Sequence, residues 1–119
     1  MQLQAQHPLQ ILGDATEMDF REVAKFNAGS IGIFRSGPGK SPWEYHPTDD
    51  EILYVLDGAV TITVLTETES VDVLVEKDSL LVVPRGHWHR HTVSEILVEL
   101  YVTPGETRHS MADDPRITE

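Results

Sequence analysis

The sequence contains no cysteine, which excludes a disulfide framework, a thiolate metal site and a cysteine nucleophile. Basic residues are scarce: 9 Lys and Arg stand against 20 Asp and Glu, a formal net charge of −11. Nucleic acid and anionic membrane surfaces are therefore unexpected partners, because Lys and Arg drive phosphate binding. No apolar run reaches the roughly 20 residues of a membrane helix. The N-terminus also lacks the basic start and apolar stretch of a signal peptide, so a cytoplasmic location is the default expectation.

The 119 residues predict a single domain. Hydrophobic residues make up 39% of the chain and charged residues 24%, which is typical of a globular protein. We expect an N-terminal arm with edge strands over residues 1–26, a β-barrel over 27–103 and a loose polar tail over 104–119. Within the first part, residues 1–13 suit an arm or edge strand, and residues 16–26 suit either a helix or a strand. Any helix is expected near 16–24 or in the tail.

Short β-rich runs fill the rest of the chain, separated by Gly, Pro, Asp and Ser. Eight such strands at this spacing predict an all-β sandwich or barrel. The predicted strands cover residues 30–35, 43–46, 51–56, 59–65, 71–75, 80–83, 87–93 and 96–102.

Asp57-Gly58 lies between two apolar strands and predicts a two-residue hairpin turn. Residues paired across that turn would have numbers that sum to 115, which places Glu51 opposite Val64. Because side chains alternate along a strand, Glu51 would share a face with five aliphatic residues. A lone buried carboxylate needs a partner, a proton or a metal ion. The alternative is that Glu51 lies at the strand end and reaches solvent.

The chain has six histidines, and three of them alternate as His87, His89 and His91. In a strand these three imidazoles lie on one face. His46 lies five residues before Glu51. Two His and a carboxylate from separate strands are enough for an open Fe(II), Mn(II) or Zn(II) site. The alternative for the triplet is an exposed edge that binds nickel adventitiously. His7 and His109, in the terminal segments, are expected to be solvated.

Two of these patterns resemble the motifs of the cupin family. Glu51, followed after six residues by Gly58, resembles the end of the first motif, G-x5-H-x-H-x3-4-E-x6-G, and His46 falls on its second His. Residues 84–89, Pro-Arg-Gly-His-Trp-His, resemble the P-x-G-x-x-H of the second motif. The resemblance covers about residues 39–102. It implies a double-stranded β-helix of the jelly-roll type, with a divalent Fe, Mn, Zn or Ni ion inside the barrel held by His46, Glu51 and His89.

The sequence departs from the family pattern at four positions. The motif glycines fall at Pro38 and Asp78, and Val93 replaces the closing Asn. The important departure is Glu44, which stands where the family has its first His. Glu44 could be a fourth ligand, could hydrogen-bond a ligand His from outside the coordination shell, or could mark a cupin that has lost its metal.

The resemblance also indicates roles for the remaining histidines and for the outer surface. His91 would point inward beside His89 as a pocket residue, and His87 would lie near the rim. The apolar outer face formed by Ile52, Tyr54 and Leu56 predicts cover by a second subunit, hence a homodimer.

Two functions are compatible with this pattern. One is a mononuclear metal enzyme, such as a dioxygenase, isomerase, decarboxylase or lyase, acting on a small polar molecule. The other is a metal-free cupin that binds a small molecule as a sensor or accessory protein. The pattern identifies no catalytic residue with certainty and no specific substrate, although Glu44 and His91 are the candidates for a general base.

Overall fold

The computed structural model describes residues 3–14 and 18–117 of the chain. These residues form one short helix and ten strands, so the predicted all-β class is confirmed. The elements are α1 (Pro8–Leu12), β1 (Asp19–Phe26), β2 (Gly29–Ser36), β3 (Gly39–Lys40), β4 (Trp43–Tyr45), β5 (Glu51–Leu65), β6 (Ser70–Glu76), β7 (Leu80–Val83), β8 (His89–Val93), β9 (Leu97–Thr103) and β10 (Arg108–Ser110). No helix within the described ranges has the length and apolar character needed to cross a membrane.

The strands form a curled antiparallel sheet in the order β1-β2-β9-β5-β8-β4-β10, which closes into a jelly-roll barrel. The first half of β5 pairs with β9 and β7, and its second half pairs with β8 and β6. This one strand therefore belongs to both walls of the barrel. The buried core between the walls includes Leu53, Val55, Val60 and Ile62 from β5.

The predicted hairpin at Asp57-Gly58 is wrong. Residues 51–65 form one continuous strand, and Glu51 pairs with Val83 instead of Val64. At Asp57 the pairing with β9 shifts by one residue, which is the signature of a β-bulge. Asp57 and Gly58, residue types that favour turns, thus lie at a β-bulge instead of a hairpin turn. The chain does not reverse there, because the two halves of β5 pair with different strands.

The predicted face of β5 nevertheless survives the loss of the hairpin. The extra residue in the bulge reverses the alternation, so odd-numbered residues before it and even-numbered residues after it point inward. Glu51 is 4% exposed, and Leu53, Val55, Val60 and Ile62 are buried with it. The same residues of β5 therefore face inward whether the chain forms a hairpin or a bulge at Asp57-Gly58.

Gly58 is required at the bulge for two reasons. Its φ is 75°, and an added Cβ would lie 1.9 Å from the backbone oxygen of Ile96. We expect Gly58→Ala to lower the free energy of unfolding by about 1–3 kcal/mol, because a side chain strains this conformation. Urea denaturation measures the loss. Gly37→Ala is the matched control, since its Cβ would meet nothing within 4 Å.

The chain termini differ from the expectations. Residues 1–13 were predicted as an arm or edge strand, but residues 8–12 form α1, which begins at Pro8 and is followed by Gly13 at φ 68°. Leu12 packs that helix against Ile33 and Val98 on the outer face of the barrel. The prediction that any helix lies near residues 16–24 or in the tail is therefore wrong. Residues 15–17 lie outside the described residues, and the ambiguous stretch beyond them is the strand β1.

The polar tail is not simply a loose extension. Arg108–Ser110 form β10, which pairs with β4. Arg116 then donates hydrogen bonds to the backbone oxygens of Thr66 and Glu69, at 2.9 and 3.0 Å. These contacts attach the tail to the barrel at two places.

Candidate metal centre

Three strands bring the predicted ligands to one point inside the barrel. Glu51 begins β5, His89 begins β8, and His46 directly follows β4. Glu44 on β4 is paired with His89, so these two side chains lie on the same face of the sheet. His46 is 2% exposed and His89 is fully buried.

The side chains are in direct contact. The Glu51 Oε1 atom lies 3.1 Å from His89 Nε2 and 3.3 Å from His46 Nε2. Glu44 Oε2 lies 4.0 Å from His46 Nε2. One ligand atom each from Glu44, His46 and His89 fall within 4.8 Å of one another, close enough to hold a metal ion. The structure therefore brings together the three residues that match the motifs, His46, Glu51 and His89, with Glu44 beside them.

The contacts of His46 Nδ1 favour one tautomer of its imidazole ring. Its Nδ1 lies 3.3 Å from the backbone oxygen of Glu106 and 3.0 Å from Thr107 Oγ1. A carbonyl oxygen only accepts, so the Glu106 contact is a hydrogen bond in the tautomer that carries the proton on Nδ1, and the Thr107 hydroxyl can accept from it too. In the neutral ring Nε2 then has a lone pair directed at the Glu51 oxygen.

The carboxyl group of Glu51 strongly favours the ionised form. Burial alone would raise its pKa, but the interactions with the adjacent imidazoles of His46 and His89 lower the pKa to about 2. Burial lowers the pKa of His46, yet its interaction with Glu51 more than compensates, and the net shift is upward. A carboxylate facing an imidazole lone pair needs a positive charge between them, supplied by a second proton or by a cation.

The surroundings of His89 favour a cation over a second proton as the positive charge in this site. Its Nε2 lies close to Glu51, but without the alignment of a hydrogen bond, and both ring nitrogens are buried without a hydrogen-bond partner. Ligand atoms at about 2.0–2.2 Å from one ion lie roughly 3.0–3.4 Å apart when they are neighbours around it. The observed 3.1 and 3.3 Å separations fit this spacing. The donor set thus fits a divalent ion.

The other two predicted site residues differ in their surroundings. His91 is 9% exposed, and its Nε2 lies 3.0 Å from both carboxylate oxygens of Glu99. His87 precedes β8, so it does not continue the strand face of His89 and His91, and its Nδ1 contacts the backbone oxygen of Arg85 at 3.0 Å. His7 and His109 are exposed, as expected.

Sequence reasoning missed Glu99, which is fully buried on β9. Burial lowers the pKa of its partner His91, but the Glu99 charge and hydrogen bond raise that pKa above its usual value. A signal was present in the sequence: Glu99 is the one charged residue in the otherwise apolar run of residues 97–102. A buried strand that contains a single acid indicates a buried partner for that acid.

Comparisons with known proteins agree with this architecture. The Cupin_2 family model, described as a cupin domain, matches residues 32–103. The chain is 38% identical over 64 residues to the tetracenomycin polyketide synthase protein TcmJ of Streptomyces glaucescens, covering 53% of this chain and 40% of that protein. It is 45% identical over 47 residues to the acireductone dioxygenase of Sulfurihydrogenibium sp. (strain YO3AOP1), covering 38% of this chain and 26% of the relative. The chain thus spans less than half the length of either curated relative.

A solved structure shows the same fold over almost its whole length. A cupin superfamily protein from Desulfitobacterium hafniense DCB-2 superposes with a TM-score of 0.68 at 19% identity. The match covers 84% of this chain and 90% of that protein. At this identity the likeness concerns the fold alone.

Proposed function

This chain belongs to the cupin domain family, and we propose that it binds a divalent metal ion through His46, Glu51 and His89, with Glu44 beside them. We further propose that the loaded centre binds or transforms a small polar molecule. Dioxygenase, isomerase and lyase reactions are the candidates, and Fe, Mn, Zn and Ni are the candidate metals. One curated relative, matched over 26% of its length, is named as an acireductone dioxygenase, which supports the first of these reactions.

The observation that carries the proposal is the position of the Glu51 oxygen between two imidazole nitrogens. It lies 3.1 Å from His89 Nε2 and 3.3 Å from His46 Nε2. With the His46 proton on Nδ1 and the Glu51 carboxyl ionised, the cluster with neutral imidazoles directs electron pairs toward one another. A divalent ion removes this repulsion and gives the buried His89 nitrogen a partner, which offsets the cost of burying Glu51.

Each residue has a distinct part in this arrangement. A bound divalent ion would supply Lewis-acid polarisation of a substrate oxygen or activation of a bound small molecule. His46, Glu51 and His89 hold the ion, and the Glu106 carbonyl keeps the His46 proton on Nδ1. His91, held by Glu99, is the candidate to orient the substrate. We assign no general base.

Metal analysis of protein purified without a nickel column tests the proposal. We expect close to one equivalent of Fe, Mn, Zn or Ni per chain, either as purified or after reconstitution and gel filtration. Protein that holds no metal after reconstitution would overturn the metal function. In that case the metal-free cupin that binds a small molecule takes its place, and ligand screening by thermal shift becomes the relevant assay.

Metal affinity should depend on pH in a defined direction. Metal binding requires neutral imidazoles, whereas the pKa of His46 is raised above 6.5 when no metal is bound. Protons therefore compete for the same nitrogen, and affinity should fall as pH decreases through the raised pKa of His46. Chelator-competition titrations from pH 8.5 to about 5.5 measure this decrease. Affinity that stays constant over that range contradicts a role for His46 as ligand.

We also propose that the protein is a homodimer. The predicted contact surface consisted of Ile52, Tyr54 and Leu56, and the structure removes one of these residues from it. Leu56 packs against the α1 cluster, so it is not free for a partner. Ile52 and Tyr54 instead continue into Val82 and Leu80, which pair with them and are 48% and 55% exposed. This exposed apolar strip on the outer face favours cover by a second copy of the chain. A cytoplasmic location stays a prediction.

Sedimentation at micromolar concentration tests the dimer. We expect a species of twice the 13.4 kDa chain mass, and Val82→Lys should convert it to monomer by burying a charge. Leu74→Lys is the control, because Leu74 is 61% exposed on β6 in the opposite wall. A wild-type monomer, or equal dissociation by both variants, contradicts this surface.

A further inference from the structure

We propose that the C-terminal segment, residues 106–116, orients a ligand of the metal centre, and that Thr107 is the positioning residue for that ligand, His46. This inference rests on the proposed metal function. The segment lies outside residues 32–103, which the family model matches, so the match itself assigns it no role.

The contact between the segment and His46 is direct. The His46 ring, 2% exposed, has its Nδ1 3.0 Å from Thr107 Oγ1 and 3.3 Å from the Glu106 backbone oxygen. With the proton on Nδ1, the Glu106 carbonyl and the Thr107 hydroxyl on one side of the ring are both in position to accept it. They direct Nε2 toward Glu51, 3.3 Å away. Partners of this kind set the ring orientation and raise the basicity of the ligating nitrogen.

The segment is attached firmly enough to do this. Arg108, His109 and Ser110 pair with Tyr45, Glu44 and Trp43. On its other side β4 pairs with β8 through Glu44 and His89 alone. The segment therefore supplies most of the backbone pairing of β4, the strand that carries Glu44 and leads to His46.

The far end of the segment is attached as well. Arg116 donates hydrogen bonds to the backbone oxygens of Thr66 and Glu69 in the β5–β6 turn. It also forms a bidentate ion pair with Asp114. Pro115 between them is buried. With both ends attached, Thr107 and Glu106 have a fixed position relative to the imidazole. That fixed position is the property a residue needs in order to set a ligand's orientation.

Metal affinity of Thr107 variants tests the inference. Thr107→Val keeps the shape of the side chain but removes the hydroxyl, and Thr107→Ser restores the hydroxyl. We expect Thr107→Val to weaken Mn(II) or Zn(II) binding about 10-fold, the lower end of the effect of such partners. Thr107→Ser should bind like the wild type. Thr68→Val, at an exposed threonine in the β5–β6 turn, should have no effect.

A second readout does not depend on metal. The ¹⁵N NMR signals of the His46 ring in the metal-free protein report which nitrogen carries the proton and how fast that proton exchanges. We expect a protected Nδ1 proton in the wild type and in Thr107→Ser, and faster exchange in Thr107→Val. If the wild type binds no metal, the proposed function fails, and this signal alone decides the positioning role.

Two results would overturn the inference. One is a Thr107→Val variant with wild-type metal affinity and an unchanged His46 ring signal. The other is a loss of affinity that Thr107→Ser does not restore and that follows a general loss of stability in urea denaturation. The second result would mean that Thr107 only supports the fold.

Discussion

Replacing His89 by alanine is expected to weaken the binding of Mn(II) or Zn(II) by more than about 100-fold, because losing a partner outside the coordination shell already costs 10–100-fold. His89 is fully buried, and its Nε2 lies 3.1 Å from the Glu51 oxygen. Removing the imidazole eliminates one of the two nitrogen donors and leaves Glu51 with a single neighbouring imidazole. Competition with a chelator of known affinity, followed by metal analysis of the protein fraction, measures the loss.

The control for this prediction is His87→Ala. His87 lies two residues away on the rim and contacts the Arg85 backbone, so its loss should leave affinity unchanged. His89→Gln retains much of the side-chain volume and separates the loss of a ligand from the loss of the fold. Equal effects of His87→Ala and His89→Ala would indicate adventitious binding by the histidine run.

Glu44→Ala determines the role of the residue that replaces the first motif histidine. As a ligand, Glu44 should matter about as much as His89. As an outer partner of His46, 4.0 Å away, its loss should cost about 10–100-fold. Its side chain is 28% exposed, so the substitution should perturb the fold much less than His89→Ala does.

Replacing Glu99 by alanine is expected to lower the free energy of unfolding by about 3–5 kcal/mol, the cost of leaving one member of a buried ion pair without its partner. Glu99 is fully buried, and both of its oxygens lie 3.0 Å from His91 Nε2. After the substitution the buried His91 Nε2 has lost both carboxylate oxygens that it contacts. Urea denaturation of the metal-free protein at pH 7 measures this loss.

The double variant His91→Phe/Glu99→Leu tests whether the cost comes from the broken pair. Replacing both members by apolar residues removes the unpaired group, and buried pairs exchanged in this way often lose little stability. His91 already packs edge-on against Phe34, with ring centroids 5.8 Å apart, which suits an aromatic replacement. A double variant as unstable as Glu99→Ala would contradict this explanation, because it leaves no unpaired polar group in the barrel.

The sequence was most informative where local chemistry is sufficient. Alternation and turn residues placed the strand at residues 80–83, which is β7, and came within one residue at each end of β2 and β9. The same alternation grouped Glu51 with aliphatic residues on one face but left its burial open, and the structure buries it although the expected hairpin is absent. Pro8 and Gly13 carry the start and stop signals of α1, but the polar, weakly patterned composition of the first residues does not by itself predict a helix.

By itself, the sequence determined the all-β class, the cupin motifs and the ligand candidates His46, Glu51 and His89. Residue type, spacing and alternation are local properties that a linear pattern contains. Only the tertiary structure decided that β5 is one strand shared by both walls, that Glu99 holds His91, and that Thr107 reaches His46. Glu99 and His91 are 8 residues apart, and Thr107 and His46 are 61 apart. Such pairs depend on how the strands are ordered in the barrel, and that order is set by burying all inward faces together.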